Sequence, residues 1–241
     1  MLFYNEDWIH FVLTRNGAKM EITEALLREY VYSFKGTQVT DFVMNVNGTV
    51  SSADSKVFET FADKYLTTIE NGIKVDYSNT FAAEVYGLIC EKKIDMYKVW
   101  IEATKEIDIK PWISIRMNDC HGNMEETELR KSSHVDRNPE YHIAAHRERV
   151  GYFDKCVDYS HKEIRQKMLD YIDEMLGRYD VFGLELDMMR DTFFFNLAEN
   201  TVELPLCVRL CRMYSPLLKS MRKSTDTGSN GHLFFRLRQT L

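Results

Sequence analysis

The chain holds 241 residues, 44% apolar and 28% charged, with 11 Gly and 4 Pro; that is enough apolar material for one globular core and too little Gly and Pro for a disordered chain. Its 31 basic and 37 acidic side chains leave a formal charge of −6, which repels a phosphate backbone and sets nucleic acid aside as a partner. No apolar run reaches the roughly 18 residues that a bilayer requires, and Glu6, Asp7 and His10 interrupt what a secretory leader would keep apolar, so neither a membrane partner nor export is expected.

Between Glu21 and Phe34, apolar Ile22, Leu26, Leu27, Tyr30 and Val31 recur at helical spacing and predict a helix that stops near Gly36. The nearly continuous run from Val39 to Val46 predicts the first strand, covered on both faces and ended by the turn pair Asn47-Gly48. Val57, Phe58, Phe61, Tyr65 and Ile69 predict a helix, and Ile73-Lys74-Val75 a short second strand. A long helix is expected from Phe81 to Glu106, striped by Met96, Tyr97, Trp100, Ile101 and Thr104. The third strand runs from Ile109 to Ile115, with Pro111 near its start, where a missing N–H is tolerated.

Residues 116–154 keep no period and hold four of the seven His, and a loop of that length is expected to be a lid-like insertion. Ser160-His161-Lys162-Glu163 has the pattern of a capping box. Behind it, Ile164, Met168, Tyr171, Ile172, Met175, Leu176 and Tyr179 form one apolar helix face. Val181 to Asp187 is the next strand, Leu206 to Met221 a further helix, and His232 to Leu237 a fifth strand. Strands alternating with helices need crossovers between parallel neighbours, so the expected class is α/β. An eight-stranded (β/α) barrel fits best, because polar clusters fall where strands end. A doubly wound open sheet is the alternative, although Asn47-Gly48-Thr49 is no dinucleotide-binding turn.

Alternation puts Gly183, Glu185 and Asp187 on one face of their strand, with the two carboxylates roughly 6.5 Å apart along it. Two readings stand: chemistry at a sugar anomeric carbon, with Asp187 nearest the mouth and Glu185 supporting it, or plain ion pairs with Arg116 and Arg190. The third strand ends in Arg116-Met117-Asn118-Asp119-Cys120-His121. Arg116, Asn118, Asp119 and His121 can hold sugar hydroxyls or cap a strand, and Trp112 can offer a stacking face if it lies high in the sheet. Asn45 and Asn47 share a face after the first strand and either orient the same ligand or make a turn. His142 and His146 have the i, i+4 spacing that chelates zinc from a helix, without the Glu of a zinc-protease helix. The five Cys (90, 120, 156, 207 and 211) form no CxxC pair, which suits a reducing compartment, and the cytoplasm is the expected setting. No cofactor or metal is expected.

The segments Thr37–Asn47, Lys110–His121, Gly151–Asp154 and Leu169–Arg190 resemble a family of bacterial glycoside-hydrolase-like TIM-barrel proteins. The pairing of Arg116-Met-Asn-Asp with His121, and of Gly183-x-Glu-Leu-Asp-x-Met with Arg190, carries the resemblance, which covers about residues 1–200. It implies a carbohydrate ligand and, in the complete barrel, hydrolysis of a glycosidic bond by paired carboxylates. Through the more distant α-amylase-type barrels it implies Asp187 as nucleophile, with Arg190 beside it. The acid that such barrels carry after the fifth strand has no counterpart at Arg238, Gln239 or Thr240, which leaves Asp119 or Glu185 as proton donor.

Only 54 residues follow Asp187, against about 120 for four more strand–helix units of about 30 residues each. Residues 201–241 also carry seven basic and two acidic side chains. The expectation is therefore a single domain over residues 1–241: a partial (β/α)8 barrel of four to five units, with an atypical basic tail from a domain boundary, an interaction segment or an altered reading frame. Its open sheet edges favour self-association. Two other functions fit the same residues: a non-catalytic saccharide-binding or assembly module, and a metal-dependent hydrolase built on His134, His142 and His146.

Overall fold

A computed structural model describes residues 1–72, 77–119, 129, 138–143, 156–188, 193–195 and 232–236. Five strands, β1 (Phe3–Asp7), β2 (Asp41–Asn45), β3 (Lys110–Arg116), β4 (Gly183–Asp187) and β5 (His232–Arg236), form one sheet in the order β1-β2-β3-β4-β5. Every neighbouring pair is parallel. Among the described strands the order does not reverse, as it would at the switch point of a doubly wound sheet. The helices are α1 (Trp8–Gly17), α2 (Glu24–Tyr32), α3 (Phe61–Glu70), α4 (Tyr77–Tyr86), α5 (Met96–Glu106) and α6 (Lys162–Arg178).

Side-chain reach shows that the sheet curls. Asn5 on β1 donates from Nδ2 to Glu185 Oε2 on β4 at 3.4 Å. In a flat sheet those strands would stand about 14 Å apart, beyond the combined span of the two side chains. The face bearing Asn5 and Glu185 is therefore concave. The opposite face presents Phe42, Met44, Ile113, Ile115, Leu184 and Leu186, all buried, and the main core lies between it and the helices. Trp100 of α5 meets Phe42 and Phe11 edge-on, with ring centroids 6.0 and 5.1 Å apart.

Two elements depart from expectation for local reasons. The helix expected over Phe81–Glu106 is broken: α4 runs into a π-helical turn over Gly87–Glu91, closed by Lys92 N–H on the Gly87 carbonyl at 2.9 Å. Lys93 then takes φ 58°, and Asp95 caps α5 by accepting from Lys98 N–H. No capping box forms at Ser160. Its N–H is taken by Asp158 Oδ1 at 2.8 Å, and α6 starts from His161 without a side-chain cap. The real capping box is Thr60 with Asp63 at the head of α3.

Strand β1 and helix α1, unforeseen from the sequence, open the sheet. The expected strand at Ile73–Val75, the helix at Leu206–Met221 and most of the insertion at residues 116–154 lie outside the described residues. Among the described residues no helix is long and apolar enough to cross a membrane.

Candidate active site

The concave face changes character along the strands. At its lower, N-terminal end Phe3, Val43 and Trp112 line it, and Trp112 donates from Nε1 to Asp41 Oδ1 at 2.9 Å. Phe3 and Phe182 each meet the Trp112 ring edge-on at 5.6 Å. Trp112 is thus buried and low in the sheet, which removes it as a stacking platform for a sugar at the strand ends.

Above it the same face turns polar. Register sets Asp7, Asn45, Ser114 and Glu185 side by side across β1 to β4, and Arg116 beside Asp187 one inward position higher. Arg116 is the hub. Its guanidinium reaches Asp7 Oδ2 at 2.5 Å and Asp119 Oδ2 at 3.3 Å. Burial works against its charge, but the fields of Asp7, Asp119 and Asp187 outweigh that and hold it above the usual arginine value. Asp7 also accepts from Ile9 N–H at 3.2 Å, so one carboxylate both caps the entry to α1 and orients Arg116. Asp119 is enclosed, its side chain 1% exposed against Gly48.

Of the other residues singled out from the sequence, Asn47 and Asn118 bond the backbone. Asn47 continues the ladder between β2 and β3 with its side chain: Nδ2 donates to the Arg116 carbonyl at 3.0 Å and Oδ1 accepts from Arg116 N–H at 2.9 Å. Asn118 accepts from Val157 N–H at 3.0 Å and donates to the carbonyls of Val157 and Phe193. It ties the chain beyond β3 to two later segments. His142 has extended backbone (φ −84°, ψ 149°), so it cannot chelate from a helix. His121, His134, His146 and Arg190 lie outside the described residues.

The structure gathers Arg116, Asp119, Asn45, Glu185 and Asp187 at one end of the sheet and adds Asp7, which sequence reasoning missed. Asp7 sits in Phe3-Tyr-Asn-Glu-Asp7, whose polarity hides a strand. The one available signal was a carboxylate just ahead of an apolar helical run, the position of a helix cap.

The loop that rims this site after β2 is held from the convex side by two buried tyrosines. Tyr97 Oη donates to the Asn45 carbonyl at 2.9 Å and Tyr171 Oη to the Val46 carbonyl at 3.1 Å. Tyr97 also meets Ser52 Oγ and Tyr171 meets Ser51 Oγ. Burial pushes both phenols above the usual tyrosine value.

No family model matches the chain, and no curated protein does. Similar solved structures include a noncanonic maltogenic α-amylase from Thermotoga neapolitana, at 13% identity and TM-score 0.45, over 98% of this chain and 45% of that one. An α-L-fucosidase isoenzyme from Paenibacillus thiaminolyticus matches at 13% identity and TM-score 0.48, over 90% of this chain and 29% of that one. A hypothetical protein from Ruminiclostridium thermocellum matches at 12% identity and TM-score 0.49, over 97% of both chains. The chain thus spans less than half the length of the first two.

Proposed function

We propose that the chain is the carbohydrate-directed part of a glycoside-hydrolase-like (β/α) barrel, in which the five sequential parallel strands make up part of an eight-stranded cylinder. The observation that carries this reading is the placement of Glu185 and Asp187 on one concave face, with Asp187 at the C-terminal strand ends beside Arg116. In parallel (β/α) barrels chemistry sits at that end. The motif resemblance of residues 169–190 to glycoside-hydrolase-like barrels points to the same two carboxylates.

In this reading Asp187 is the nucleophile. A carboxylate oxygen attacks the anomeric carbon as the glycosidic C–O bond breaks, and the departing oxygen takes a proton from an acid. Water, giving a proton back to that acid residue, then cleaves the glycosyl ester, which restores the Asp187 carboxylate and the proton donor and frees the sugar. Of the two acids considered as proton donor, Asp119 is ion-paired with Arg116, and Glu185 is taken as the donor. Arg116 orients the carboxylates around it without touching the reacting atoms.

The test is hydrolysis of a panel of p-nitrophenyl α- and β-glycosides by the chain. At least one is expected to be cleaved, and Asp187→Asn is expected to reduce that rate about a thousandfold or more while the melting temperature stays near that of the parent. Undiminished turnover by the variant would overturn the assignment, and so would the absence of any cleaved glycoside.

A further inference from the structure

Three buried asparagines stand around the upper ends of β2 and β3, and one is unlike the other two. Asn47 and Asn118 satisfy both amide groups on backbone. Asn45, only 3% exposed, donates a long 3.4 Å bond from Nδ2 to the Ser114 carbonyl, and its Oδ1 has no hydrogen-bond partner. A buried acceptor with no protein donor is costly to leave unmade. Asn45 cannot relieve this by moving its backbone, because Tyr97 Oη holds its carbonyl and Val46 N–H is bonded to Ser114 at 3.1 Å. The position is therefore rigid, polar and short of one donor.

Its surroundings indicate what donor would fit. Asn45 shares its level with the acceptors Asp7 and Glu185 and with the Ser114 hydroxyl, and none of these donates to Oδ1. On the concave side the Asn5–Glu185 contact bridges β1 and β4 across the middle strands, from the level of Val43 to that of Asn45. Asn5 itself is exposed and its bond is long, so this cover is easily moved.

We propose that Asn45 Oδ1 and Glu185 Oε2 form a subsite for two adjacent hydroxyls of a neutral sugar, which binds by displacing the Asn5 side chain and leaves Glu185 Oε1 to carry the proton that the departing oxygen takes. One hydroxyl donates to Asn45 Oδ1 and its neighbour replaces the Asn5 amide on Glu185. The subsite rests on the saccharide reading above and assigns it a recognition element: an adjacent diol, held below Asp187. The missing donor at Asn45 is supplied by the ligand, and the stability forgone in the empty protein is recovered on binding.

The experiment is calorimetric titration of the chain and three variants with D-glucose, D-galactose and L-fucose, with melting temperatures of the sugar-free proteins alongside. At least one sugar is expected to bind the parent. Asn45→Ala weakens it tenfold or more, and Asn5→Ala, which removes the cover, tightens it severalfold. Without sugar, Asn47→Ala is expected to lower the melting temperature by about 5 °C or more, whereas Asn45→Ala stays within about 2 °C of the parent. An Asn45→Ala protein that binds as the parent does, or that melts as low as Asn47→Ala, overturns the subsite. Binding of none of the three sugars overturns it too. Glycoside hydrolysis that is lost in Asp187→Asn but untouched in Asn45→Ala would overturn the subsite alone and leave the catalytic reading standing.

Discussion

The two faces of the same strands follow opposite rules. On the convex face Phe42, Met44, Ile113, Ile115, Leu184 and Leu186 are sealed under helices, and burial of that apolar area drives folding. On the concave face, residues one step away in sequence are Asp7, Asn45, Ser114, Arg116, Glu185 and Asp187. They bring charge and an unsatisfied amide into a half-enclosed space, where each must be offset by a partner. The convex side supplies the stability that makes such a face tolerable.

If that contrast is right, the concave face fails hardest where one partner holds several others. Arg116→Met removes the cation that faces both Asp7 and Asp119 and leaves the enclosed Asp119 carboxylate without it. A loss of about 3–5 kcal/mol is expected, read by urea unfolding. Adding Asp119→Asn to Arg116→Met should return part of the loss, because the stranded charge is then gone. A loss below about 1 kcal/mol for Arg116→Met would mean that the cluster is solvated and that the two faces differ less than described.

The convex side carries a weaker, pH-dependent liability. Tyr97, Tyr171 and Tyr179 are buried phenols whose proton affinity is raised, chiefly by burial. In the unfolded chain they ionise near pH 10, while in the folded protein they stay neutral to higher pH. Their contribution is therefore complete below about pH 10 and is lost progressively as pH rises above it, because only the unfolded state can then release those protons. Melting temperature should be flat from neutral pH to about 9.5 and fall beyond it, together with tyrosinate absorbance that appears only on unfolding. Tyrosinate absorbance appearing at pH 10 in a still-folded protein would contradict the burial of these anchors.

Much of the sheet was legible in sequence because alternation and apolar runs report burial directly. Val181–Asp187 announced both its strand and the shared face of Glu185 and Asp187, and His232–Leu237 was read as the strand now found at β5. Strand β1 was not legible. Its convex Glu6 is buried by accepting hydrogen bonds from Tyr4 and Tyr30, and its concave Asn5 is exposed, so no hydrophobic period marks it. The break between α4 and α5 was hidden for the opposite reason: Val85 and Leu88 before it and Met96 and Trp100 after it all bury against one core, and the apolar stripe runs on across the gap.

The site was half legible. The sequence identifies which amides and acids cluster near strand ends but not what each one bonds. Asn47, Asn118 and Asn45 look alike as residue types and differ in partners supplied from 39 to 75 positions away, by the backbone at Arg116, Val157 or Phe193 or, for one atom of Asn45, by nothing. Asp7 and Arg116 are 109 residues apart, and no local pattern links them.

The most direct measurement is covalent trapping. The chain is incubated with 2-deoxy-2-fluoro glycosyl fluorides of glucose, galactose and mannose, digested, and mapped by mass spectrometry. A fluoroglycosyl ester on Asp187, absent from Asp187→Asn, is the predicted result. A label on another carboxylate, or no label with any of the three reagents, would contradict the claim that Asp187 is the nucleophile of a sugar-binding concave face.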